Sequence, residues 1–128
     1  MLTTVLQVAL GGAIGASGRY LLGVFVGHNW GHYVFPLGVL VANIIGSFIM
    51  GALVVFLGQR ELTHWNAFLA TGILGGFTTF SSFSLETWRL IDIGRVELAA
   101  SYIGLSVGVS VAALVLGVYG MRAFLAVV

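Results

Sequence analysis

Between Thr71 and Ser84 an apolar stretch carries a dense set of small and hydroxyl-bearing residues, Thr-Gly-Ile-Leu-Gly-Gly-Phe-Thr-Thr-Phe-Ser-Ser-Phe-Ser. Gly75, Gly76, Thr78 and Thr79 are poor helix formers, so a local break is expected here. A break frees backbone carbonyls, which must then find a donor or a cation. The alternative is a glycine kink satisfied by threonine hydroxyls. Just beyond, Phe80 and Phe83 are three apart and share a helix face, with Ser81 and Ser84 forming a neighbouring stripe. An aromatic ring is negative on its face and positive at its edge. Ring edges beside hydroxyl donors can therefore replace water around an anion without any fixed cation. Plain packing is the competing role for phenylalanine in an apolar helix.

Other polar residues extend this pattern. Asn43 is the one amide deep in its apolar run, with Ser47 one turn further along the same face. Tyr102, Ser106 and Ser110 recur every four residues and draw a polar line along a helix, although each serine can also satisfy its own backbone. Arg19 sits late in the first run, where it either attracts anions at an aqueous vestibule or simply anchors the helix. Glu86 has three open roles: a proton site, an acceptor for Tyr102, or an ion-pair partner of Arg89 at i, i+3.

These residues are positioned by elements that belong in lipid. The 128-residue chain is 59% hydrophobic and 7% charged, with a mean hydropathy of +1.11, far more apolar than a soluble domain of its size. With a hydrocarbon core roughly 30 Å thick, two crossings would use less than half the chain, and four fit. We expect a single all-α domain spanning residues 1–128, with transmembrane helices at about 2–26, 34–58, 65–90 and 98–125 and a break in the third. Gly27 to Tyr33, through His28, Asn29, Trp30, Gly31 and His32, suit a short interfacial turn, and Pro36 suits the first turn of the second helix. Gly11 and Gly15, Ala42 and Gly46, and Gly104 and Gly108 are small-residue pairs at the spacing of close helix contacts.

Four crossings put both termini on one side. That side holds Arg60 and Arg122; the other holds Arg95, with Arg19 and Arg89 near its helix ends. The positive-inside signal is nearly cancelled, which fits insertion in both orientations or simply too few charges to decide. Composition also excludes classes of function. A net charge of +1, with five Arg and no Lys, gives no footprint for nucleic acid. The absence of Cys removes disulfides and thiolate sites, and no nucleophile with a base, phosphate loop or metal cluster is legible, so an enzyme is not expected.

Gly75-Gly76-Phe77-Thr78-Thr79-Phe80-Ser81-Ser82-Phe83-Ser84-Leu85-Glu86 resembles the third-helix signature of the bacterial Fluc (CrcB) fluoride channels. Supporting matches run through the chain: Gly11-Gly12-x-x-Gly15 with Arg19, Pro36-Leu37-Gly38, Ala42-Asn43-x-x-Gly46 and the glycine-rich fourth helix. The resemblance implies an antiparallel, dual-topology homodimer in the bacterial inner membrane, with two separate pores for passive fluoride export and protection from fluoride toxicity. By motif position, Phe80, Phe83 and Asn43 look like pore residues. Ser81, Ser82 and Ser84 match the hydroxyl region beside them, although the position of Ser82 commonly carries Thr. Tyr102 and Glu86 match polar positions near one end of the path, Ser106 and Ser110 continue the polar line, and Arg19 matches the vestibule arginine. Gly75 and Thr78 look like backbone-carbonyl ligands of a structural Na⁺ at the dimer centre. The implied partners are fluoride, sodium, the lipid bilayer and a second copy of the chain.

The chemistry suits fluoride. A small anion holds its water tightly, so a pore must supply several short hydrogen bonds, yet a strongly cationic site would trap it. The rival is a small multidrug-type proton-coupled transporter. That chemistry needs a membrane-embedded glutamate in the first helix, where this chain has no acid. A non-transporting scaffold subunit would explain the glycine faces but not the hydroxyls.

Overall fold

In the computed structural model, which describes residues 1–31 and 34–128, the chain forms four spans joined by short connections. The first is one helix, α1 (Leu2–Trp30), and the second is α2 (Leu37–Gln59). The third span, Thr63–Asp92, is composite. It opens with a 3₁₀ turn at Thr63–Trp65 and a π-helical segment at Ala67–Leu74, continues as one short turn, α3 (Gly75–Phe77), and ends in α4 (Phe80–Asp92). The fourth span is α5 (Val96–Val127). At 29, 23, 30 and 32 residues, all four are long and apolar enough to cross a bilayer.

Helix ends differ from sequence expectation where local hydrogen bonds extend them. α1 runs on to Trp30 rather than ending near Val26. Nothing from Gly27 to Trp30 forbids helix, Asn29 Nδ2 donates to the Phe25 carbonyl at 2.8 Å, and the Trp30 ring meets the Phe25 ring edge-on at 6.1 Å. His32 and Tyr33, expected in the interfacial turn, lie outside the described residues. α2 begins at Leu37, just after Pro36, rather than near residue 34. α5 starts at Val96 after a turn in which Gly94 adopts φ +78°, a conformation suited to glycine.

Backbone-to-backbone contact between helices organises the bundle. α1 lies on the first half of the third span: a Cβ at Gly15 would overlap the Ile73 carbonyl, and one at Gly72 would lie 2.9 Å from the Gly11 Cα. α2 lies equally close on α5, where Gly51 faces the Leu114 carbonyl and Gly117 faces the Phe48 carbonyl. Without a hydrophobic drive between helices in lipid, such close approach is what van der Waals packing can use. Gly46 is packed against Thr78, so the Ala42–Gly46 pair lies at a helix contact. Gly104 and Gly108 do not pack against any of the described residues. Both open onto free space because α5 turns its other face to α2. The two layers meet where α2 passes the junction of α3 and α4, and the buried cluster of Leu40, Phe83, Leu90, Ala99 and Tyr102 lies beside that junction.

Candidate functional site

Between α3 and α4 the backbone is extended, with Thr78 at φ −83°, ψ 157° and Thr79 at φ −152°, ψ 122°. β-branched threonines favour this region, whereas Gly75 and Gly76 remain helical. Leaving the helix strands peptide groups in a medium without water, and side chains from two other spans take them up. The Asn43 amide pairs with Thr79 as a second peptide would: the Thr79 N–H donates to Oδ1 at 2.8 Å, and Nδ2 donates to the Thr79 carbonyl at 3.0 Å. Arg19 Nε donates to the Gly76 carbonyl at 3.3 Å. The Thr78 N–H and hydroxyl both donate to the Leu74 carbonyl at 3.0 Å. The Thr79 hydroxyl caps α4 by accepting the Ser82 N–H at 3.1 Å, and it lies 3.3 Å from the Ser81 hydroxyl. The carbonyls of Gly75 and Thr78 have no donor among the described residues.

A cavity of about 350 Å³ opens between α2, the extended link, the start of α4 and α5. Asn43, Ser47, Thr78, Thr79, Phe80, Phe83, Ser106 and Ser110 line it, and among the described residues no charged side chain does. The hydroxyl oxygens of Tyr102, Ser106 and Ser110 are buried and have no hydrogen-bond partner among the described residues. Tyr102 is fully buried, its ring edge-on to Phe35 at 5.5 Å and tilted against Phe83 at 5.3 Å. Phe83 is 9% exposed, while Phe80, 5.3 Å away, is 77% exposed on the outer surface. Buried orphan hydroxyls are rare in folded chains, since each forfeits the hydrogen bonds it had in water. Ser106 and Ser110, which line the cavity, offer donors to a guest that brings acceptor capacity, and the uncharged wall leaves such a guest free to depart.

The remaining candidates lie elsewhere. Ser84 lines a neighbouring groove of about 420 Å³ with Phe80, Phe83 and Thr87, but its hydroxyl donates to the Phe80 carbonyl at 3.0 Å. Ser82 contributes its backbone N–H to the cap. Arg19 and Glu86 face a separate cavity of about 610 Å³, walled by Trp30, Phe35 and Pro36. Of the three roles open to Glu86, the structure shows the ion pair: Arg89 Nη1 lies 2.6 Å from its carboxylate, and Tyr102 does not reach it. Sequence reasoning marked Thr79 only as a poor helix former and missed its place at the centre of the site. The available signal was a threonine immediately before a polar first turn, the pattern of an N-cap.

Residues 6–118 match the family described as CrcB-like protein, Camphor Resistance (CrcB). The chain is 58% identical over 125 residues to the Fluoride-specific ion channel FluC of Ruegeria sp. (strain TM1040), covering 98% of this chain and 99% of that one. It is 49% identical to the protein of the same name from Cereibacter sphaeroides over 126 residues, 98% of this chain and all of the relative. The corresponding protein of Roseobacter denitrificans is 49% identical over 120 residues, 93% of this chain and 95% of the relative.

Proposed function

From the premise that the chain belongs to the CrcB family, we propose a function for it and a use for its site. The chain is a multi-pass membrane protein and a fluoride-specific ion channel, not an enzyme. The observation that carries the mechanism is the set of buried, unpartnered hydroxyls of Tyr102, Ser106 and Ser110 beside a cavity without a fixed charge. Fluoride shed of its water takes short hydrogen bonds from these hydroxyls and from the second N–H of the Asn43 amide, whose first is held by Thr79. The edges of Phe80 and Phe83 add weak positive potential along the same wall. Each contact replaces water in part, and none binds tightly enough to stop passage. Ser84 lies beside the approach in the groove next to Phe80 and Phe83, and Arg19 and Glu86 line the vestibule cavity.

The working unit is an antiparallel, dual-topology homodimer with two pores in the bacterial inner membrane. Three features support it. The arginines are nearly balanced between the two faces, Phe80 is largely uncovered, and Gly104 and Gly108 offer a smooth unpartnered face on α5. The Gly75 and Thr78 carbonyls, without donors of their own, have the chemistry to hold a structural Na⁺. One chain supplies two such oxygens, so a second copy would complete the set. Bound there, Na⁺ would supply positive charge to offset the Gly75 and Thr78 carbonyl dipoles.

Fluoride efflux from liposomes containing only the purified protein tests this assignment, with a K⁺ ionophore dissipating voltage and chloride-loaded liposomes as control. Fast fluoride loss with chloride retained is expected. Folded protein that releases no fluoride would overturn the proposal.

A further inference from the structure

Of the three methionines in the chain, Met1, Met50 and Met121, only Met50 lines the central cavity. Along α2 the wall of that cavity runs Asn43, Ser47, Met50, so its polar part ends at a thioether. Met50 stands beside Gly51, whose missing side chain lets α2 meet the Leu114 carbonyl of α5. It therefore lies at the end of the cavity where the two helices touch. A thioether is unbranched, adaptable and only a weak acceptor, so it fills this end without drawing on the hydroxyl donors nearby. Those donors are exposed to any stronger acceptor: Ser106 is 6% exposed, and the hydroxyls of Ser106 and Ser110 have no partner among the described residues. Sulfur is also the readily oxidised atom of such a wall, and its sulfoxide is polar, with an oxygen that accepts hydrogen bonds strongly. The cavity, at about 350 Å³ and without a charged side chain among the described residues, has room for a small neutral oxidant.

We propose that Met50 is a modification site at which hydrogen peroxide closes the fluoride path. This rests on the fluoride-channel assignment. In the reaction a lone pair of the Met50 sulfur attacks one peroxide oxygen, forming the S–O bond as the O–O bond breaks. The departing hydroxide takes the proton from the oxygen left on sulfur and leaves as water, so the thioether loses the two electrons that the peroxide gains. The rotatable bonds of the side chain let the new oxygen turn toward the cavity hydroxyls. Its partial negative charge then occupies donors that a desolvated anion needs and repels that anion, and being covalently held it does not depart.

Proteoliposomes treated with hydrogen peroxide and quenched with catalase test this, with fluoride efflux read against each protein's own untreated rate and oxygen gain at each methionine read by peptide mass spectrometry. In the wild type, efflux should fall with the fraction of Met50 sulfoxide, and fully oxidised protein should retain about a tenth of its rate or less, the worth of one hydrogen bond to a charge. Met50→Leu, a swap of similar volume, should keep its rate under the same treatment, whereas Met121→Leu should lose it as the wild type does. Three results would each overturn the proposal and leave the channel assignment standing: Met50 oxidised with efflux unchanged, Met50 unoxidised while Met1 and Met121 are converted, or equal losses in Met50→Leu and wild type. The first two need only the wild-type protein, so they hold even if a variant does not fold. Untreated wild type that releases no fluoride would instead overturn the channel assignment, and the closure with it.

Discussion

Replacing Asn43 by leucine, a residue of similar size, removes both bonds to Thr79 at once, at 2.8 and 3.0 Å. Interhelical hydrogen bonds in membranes average about 0.6 kcal/mol, and each stranded peptide group adds about 1–3 kcal/mol where water cannot reach it. The cavity beside Thr79, about 350 Å³, has room for water, which places the total at the low end, about 3 kcal/mol. That is less than the stability of an ordinary domain, about 5–15 kcal/mol, so the bundle should still form. The start of α4 should lose its fixed position, and a shift worth about 1.4–2.8 kcal/mol to the permeating ion is ten- to a hundredfold in rate. Asn43→Asp should be worse. Its carboxylate still accepts the Thr79 N–H but turns a second oxygen toward the Thr79 carbonyl and puts a negative charge on an anion path. Liposome fluoride efflux, with folding checked by size-exclusion profile, should rank wild type above Asn43→Leu above Asn43→Asp. A wild-type rate with chloride still excluded in Asn43→Leu would refute the positioning role given to this amide.

Three further outcomes are expected. Phe80→Ile and Phe83→Ile should keep the fold while reducing fluoride flux, because isoleucine fills space without a positive ring edge; unchanged flux in both would remove the ring-edge contribution. Gly15→Ala should lower thermal stability in detergent by about 1–3 kcal/mol or more, since its methyl meets the Ile73 carbonyl, whereas Gly104→Ala leaves the chain's own packing untouched, so a loss there reports contact with a second copy. Equal melting of Gly15→Ala and wild type would contradict the packing described between α1 and the third span. Exhaustive exchange of Na⁺ for a bulky organic cation should weaken dimer and flux together, and full stability and flux without Na⁺ would argue against a structural ion at the Gly75 and Thr78 carbonyls.

Much of this protein is written in one dimension. Bilayer thickness and the absence of lipid hydrogen bonds make span number and all-helical architecture a matter of counting apolar residues, and the four spans follow from that count. The same constraint makes every mid-span polar residue conspicuous, which is why Asn43, Ser106, Ser110 and the run from Thr78 to Ser84 stand out before any coordinates. Sequence could not say which polar atoms are already spent. Thr78, Ser84 and one edge of Asn43 turn out to be bound to backbone, and Glu86 is paired with Arg89, while Tyr102, Ser106 and Ser110 keep hydroxyls with no partner. Nor could it separate the glycine pair that packs within the chain, Gly11 and Gly15, from the one that faces outward, Gly104 and Gly108, because identical spacing occurs on both. Composition and period determine what a residue could do in lipid. Only the tertiary structure decides which donors and acceptors find one another, because a hydrogen bond depends on distance and direction between spans far apart in sequence, such as Asn43 on α2 and Thr79 before α4.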